Sequence, residues 1–124
     1  MRARFVTTSI GMLAMSVCVA GAGWAQDAES LAQQAVELFD ELIACSAEPG
    51  FAEAGLGAAG PCAEWLERIE AAQAQDGVLI GEGYFCLAGD VRLAGSSLVS
   101  GDEGHFNFVA ELVDECREQI SGSG

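Results

Sequence analysis

The stretch GVLIGEGYFCLAGDVRLAGSSLVSG, residues 77–101, decides between an all-helical chain and a mixed one. Glycines at 77, 83, 89, 95 and 101 fall six apart. Phe85-x-Leu87-Ala-Gly is followed in the same frame by Val91-x-Leu93-Ala-Gly, and Ser97-x-Val99-Ser-Gly keeps the frame with a polar opening residue. A six-residue period suits short strands alternating with turns. Three hexads close only one coil of such a solenoid, which buries no core of its own. The same residues carry a helical pattern, because Ile80, Tyr84, Leu87, Val91 and Leu98 sit close to helical spacing. Each glycine in a helix interior costs about 0.8–1 kcal/mol against alanine. Tight packing offsets part of that, since glycine lets backbones approach. Neighbouring helices need one more surface to close a core, which favours a helix here. A hairpin or short meander is the competing reading.

The flanks of this stretch are helical. Residues 26–46, QDAESLAQQAVELFDELIACS, place Leu31, Ala35, Leu38, Phe39 and Leu42 on one stripe. Ser30 with Gln33 fits a capping box, and Asp27 and Glu29 suit the positive helix start. Residues 47–60 read as a loop held to the core by Phe51 and Leu56. Residues 61–75 form a second helix, with Pro61 in its first turn and Cys62, Trp65, Leu66, Ile69 and Ala72 on one face. Glu64 and Arg68 are spaced as an i, i+4 ion pair. Asp76-Gly77 is the expected end of that helix. Residues 102–120 form a third helix capped by Asp102, with His105, Val109, Leu112, Val113, Cys116 and Ile120 along one side and SGSG as a frayed tail.

Further out, MRARFVTTSIGMLAMSVCVAGAGWA (1–25) reads as a secretory signal. Arg2 and Arg4 form the positive region, and Phe5 to Ala22 is mostly apolar. Gly23 and Ala25 place small residues at −3 and −1 of a cut before Gln26. A membrane anchor is disfavoured because Thr7, Thr8 and Ser9 interrupt a stretch already near the lower length limit for a span. A lipoprotein is disfavoured by Val17 in front of Cys18. Cleavage leaves residues 26–124 as a single small acidic domain, exported to the periplasm or the extracellular space. A chain of that size buries roughly 60–70% of its unfolded surface, so its core is modest.

Export fixes the meaning of the cysteines. Cys45, Cys62, Cys86 and Cys116 remain, an even number in a short exported chain, which argues for two disulfides. Three pairings are open. Zinc is disfavoured because no C-x-x-C pair is present. A bridge closing a loop of this order is worth roughly 3 kcal/mol.

The same segment carries three arginines, no lysine and all nineteen acidic residues, a net charge of −16. That field repels nucleic-acid phosphates and anionic lipid, and it favours encounter with cationic partners. A solvated acidic surface is the plainer explanation of the same composition.

Catalytic signals are weak. His105 is the lone histidine and needs a nucleophile or carboxylate beside it to act. Gly95-Ser96-Ser97 begins a G-x-S-x-G elbow, but Val99 occupies the place of the closing glycine. The carboxylate pairs Asp40/Glu41, Glu67/Glu70, Asp102/Glu103 and Asp114/Glu115 are what so acidic a chain produces by chance on solvated faces. No D-x-D-x-D-G calcium loop occurs. Trp65, the one tryptophan beyond residue 25, reads as core. Phe106 and Phe108 lie on different sides of their helix, so at least one is expected to be exposed as a contact point.

The expected fold is therefore a mainly α, disulfide-stapled domain of three to four helices, with a hairpin or meander in 77–101 as the alternative. No catalytic, metal-binding or cofactor-binding residue is assigned, and no cofactor is expected. The expected role is non-enzymatic binding of a basic protein partner, in the manner of an inhibitor or immunity protein. An envelope-associated accessory protein is the alternative, and a small hydrolase using His105 comes third. Neither nucleic acid nor, after cleavage, a membrane is an expected partner.

Overall fold

A computed structural model of the protein describes residues 27–123, so the leader and its expected cut lie outside the described residues. The stretch that decides the fold is helix, in two pieces rather than one. The chain forms α1 (Ala28–Ser46), α2 (Phe51–Ala54), α3 (Ala63–Gln73), α4 (Asp76–Gly81), α5 (Ala88–Ser100) and α6 (Glu103–Ser123), with no strand among the described residues. The mainly helical reading holds, and the hairpin does not form.

The six-residue glycine frame has no single cause. Gly83 (φ 79°) and Gly101 (φ 82°) adopt the left-handed conformation that favours glycine. Gly83 breaks the stretch after α4, and Gly101 closes α5 by donating its N–H to the Ser97 carbonyl at 2.8 Å. Gly89 and Gly95 are sites of close approach. A Cβ on Gly95 would stand 2.9 Å from Cη2 of Trp65, and one on Gly89 would stand 3.1 Å from an Asp76 carboxylate oxygen. Gly77 satisfies neither need, since a Cβ there would meet nothing within 4 Å.

Because the helix breaks between Gly81 and Ala88, the pattern expected of one continuous helix loses phase. Ile80, expected on the apolar stripe, is 63% exposed, and Leu79 takes its place at 2%. Val91 and Ala94 are fully buried in α5, whereas Tyr84 and Leu87 are half-buried against the core. The connector between the two helices is held by side chains from elsewhere. Gln119 of α6 accepts the Phe85 N–H at 3.2 Å and donates to the Gly83 carbonyl at 3.0 Å. Asp76, expected to end a helix, starts α4 instead. Its carboxylate accepts the Ala88 and Gly89 N–H groups at 2.8 and 2.9 Å, capping α5 from outside.

The other helices keep their expected faces with adjusted ends. On α1, Leu31, Ala35, Leu38, Phe39 and Leu42 are all buried. Its cap is Asp27 rather than the Ser30–Gln33 box: the chain is extended at Asp27, and Oδ1 accepts the Ser30 N–H at 2.9 Å. Phe51 and Leu56 pack on the core as expected, with the short α2 inside the predicted loop. Helix α6 is capped by Asp102, which accepts the His105 N–H at 3.1 Å. It runs to Ser123 rather than fraying at Ser121. The core gathers α1, α3, α5 and α6 with Leu79 of α4, and α1 packs against the other four.

Of the three open pairings the chain uses Cys45–Cys62 and Cys86–Cys116, with Cα atoms 5.3 and 5.6 Å apart. The first fastens the end of α1 to the start of α3. The second fastens the α4–α5 connector to α6. All four cysteines are buried.

Two sets of variants test this architecture by urea unfolding. Gly95→Ala forces a methyl against a buried indole and is expected to cost about 1–3 kcal/mol. Gly77→Ala meets open space at ordinary φ and is expected to gain about 0.5–1 kcal/mol. Replacing Cys86 and Cys116 together by alanine opens a loop of 30 residues and should cost about 3.5 kcal/mol. The same replacement at Cys45 and Cys62 opens 17 residues and should cost about 3 kcal/mol.

Candidate binding surface

The positive charge of the folded domain is fully committed to joining helices. Arg117 of α6 reaches Asp40 of α1 with two bonds, at 2.7 and 3.3 Å. It also stands 3.6 Å from Asp114 on its own helix. Arg92 of α5 bonds Glu70 of α3 at 3.0 Å. Arg68 of α3 pairs with Glu41 of α1, not with Glu64 as its i, i+4 spacing predicted. An intrahelical pair adds only a few tenths of a kcal/mol, and an interhelical one also fixes how the helices dock. Each of these pairs is 40–55% exposed and worth about 0.2–1 kcal/mol. The expected carboxylate pairs are therefore not idle surface. Asp40, Glu41, Glu70 and Asp114 hold arginines, and Asp102 caps α6.

Asp90, in the first turn of α5, sits among other charges. Its carboxyl is raised above the ordinary carboxylate value, first by partial burial and then by the neighbouring Asp76 carboxylate, while His105 pulls the other way. Asp27 shows the opposite shift. The Ser30 N–H that it caps lowers its carboxyl below the usual 3.8.

His105 is half-buried, its ring centroid 6.4 Å from that of Phe108. Its ring nitrogens make no hydrogen bond to a carboxylate or hydroxyl among the described residues. The sequence-predicted aromatic positions separate cleanly. Trp65 is core, with its Nε1–H donating to the Leu38 carbonyl at 2.7 Å. Phe106 stacks on Phe39 with centroids 5.5 Å apart, whereas Phe108 is 56% exposed. Ser97, from the incomplete nucleophile elbow, is buried and donates to the Leu93 carbonyl at 3.0 Å. That is a helical back-bond, not a poised nucleophile.

Two concavities carry acidic rims. One, of about 240 Å³, lies where α5 turns into α6, with Leu98 and Phe106 as apolar lining and Asp102, Glu103 and Asn107 as polar lining. The other, of about 430 Å³, lies at the start of α1 between Asp27, Glu29, Glu82, Val78 and Tyr84. No group of three or more His, Cys, Asp or Glu residues is placed to hold a metal ion among the described residues. None of the described helices is long and apolar enough to cross a membrane. No protein-family model, curated protein or solved structure matches the chain.

The raised carboxyl of Asp90 has a definite consequence for stability. A group raised on folding stabilises the fold fully below its unfolded value, near 3.8, and loses that contribution as pH rises through the folded value. Above its folded value Asp90 is ionised against the preference of its site. Asp90→Asn should raise the urea midpoint at pH 7, and the advantage should vanish as the pH falls below about 3.8. Unfolding curves for both proteins across that range provide the check.

Proposed function

We propose that this chain is an exported, non-enzymatic acidic module that binds a basic protein partner, in the manner of an inhibitor or immunity protein. The supporting observation is the allocation of charge. All three arginines of residues 26–124 are spent on interhelical pairs, and no lysine exists there. They engage four of the nineteen acidic residues, so fifteen carboxylates have no arginine partner and negative charge predominates. A surface of one sign speeds encounter with an opposite one and rejects like-charged partners. Two buried disulfides suit a compartment that keeps sulfur oxidised, and the leader supplies the route there.

The export half of this reading is tested by peptide mapping of the secreted protein without reductant. A new N-terminus at Gln26 with both bridges intact supports it. An uncut leader with free thiols overturns it. The binding half is tested by titrating the oxidised protein with a hexa-arginine peptide and with hexa-glutamate. Saturable binding of the basic peptide alone, weakening steeply with salt, is expected. Absence of binding at low salt would instead favour an accessory role in the envelope.

A further inference from the structure

Resting on that reading, we infer that the concavity between the end of α5 and the start of α6 is the seat of a single arginine or lysine side chain from the partner. Its volume, about 240 Å³, falls below the roughly 300–1,000 Å³ of pockets that enclose a whole small-molecule ligand, and it suits one long side chain. Its lining has the two characters such a side chain requires. Leu98 and the half-buried ring of Phe106 offer apolar surface for a methylene stem and an aromatic ring near its cationic head. Phe106 is itself held in place by its stack on Phe39. At the rim, Asp102 uses Oδ1 to accept the His105 N–H, and its Oδ2 has no protein partner among the described residues. The carboxylate of Glu103 and the amide of Asn107 have none either.

Electrostatics decide the sign of the ligand. The start of α6 carries about half a positive charge from its backbone, which alone would favour an anion. Two full carboxylate charges outweigh it, and no arginine among the described residues pairs with them. A metal ion is a poorer occupant, because the site offers two carboxylates rather than three and an apolar wall. A second copy is also a poor source of the cation. Every arginine among its described residues is engaged in an ion pair, and two copies of residues 26–124, each at −16, repel.

The test is titration of the oxidised secreted protein with hexa-arginine, read by amide chemical shifts and by affinity, in wild type, Glu103→Gln and Glu118→Gln. Glu118 lies near the far end of α6, so the second variant removes the same charge away from the concavity. Shifts centred on Leu98, Asp102, Phe106 and Asn107 are expected. Affinity should fall about three- to fivefold in Glu103→Gln, with less than about half that change in Glu118→Gln. Equal losses in the two variants would overturn the assigned seat while leaving a basic partner in place. No binding in any variant would overturn both. Arginine amide that shifts the same residues and binds as tightly as the peptide would replace a protein side chain by a free cation, overturning the partner as its source. Self-association that protects those residues would equally overturn it.

Discussion

The indole of Trp65 is the point on which the helices converge. It projects from α3, donates its N–H to the Leu38 carbonyl of α1 at 2.7 Å, and lies flush on α5 at Gly95. The hydrogen bond matters because a buried indole N–H without a partner costs about 1–3 kcal/mol. Its acceptor is a helix carbonyl, so the bond fixes the rotation of α3 about α1 as well as the distance. The glycine matters because any Cβ at 95 would press the ring away from that acceptor. Helix α5 can therefore close over the tryptophan only where it has no side chain. The conformational cost of glycine in α5 is met by the approach of three helices around one large aromatic group.

Charge is handled on the same principle of joining elements that are distant in sequence. A domain of −16 works against its own compaction. Its three cations lie one each on α3, α5 and α6, and each reaches across to another helix. None of these exposed pairs is strong alone. Together with two buried disulfides they tie α1 to α3 and α6, and α3 to α5, so self-repulsion acts on a body that cannot readily swell. The chain thus keeps a large negative exterior with very little cationic cost. What remains outside is a predominantly acidic surface.

How far this was legible in the sequence depends on the range of the interaction. The stripes of α1, α3 and α6 follow from helical period alone, and Leu38, Ile69 and Val113 are buried where the period puts them. The capping role of Asp102 is equally local and was readable. The pairing of Arg68 shows the limit. Glu64 is four residues away and correctly placed, yet the arginine turns to Glu41, 27 residues distant, because two helices meet there. Asp76 is a similar case. Its carboxylate caps α5 from twelve and thirteen residues away, so nothing in the sequence around Ala88 announces a cap. The hexad in 77–101 marks no repeat, for a different reason. A regular spacing of glycines looks like a structural repeat, but two of them serve turns, two serve close packing and one serves neither.

The proposed seat at the corner between α5 and α6 is one that a search for motifs passes over. Asp102 and Glu103 read from sequence as the start of a helix, and Asp102 does perform that role. Capping consumes one carboxylate oxygen and leaves the other without a hydrogen-bond donor among the described residues. Phe106, likewise, is a core residue toward Phe39 and a lining residue toward the concavity. The residues that shape this hollow thus already have structural duties, and none belongs to a type or spacing that marks chemistry. The left-handed turn at Gly101 brings the end of one helix beside the start of the next, and Asp102 and Phe106 line the concavity between them. The proposed recognition would rest on the geometry of a helix–helix corner, with charge deciding what it accepts.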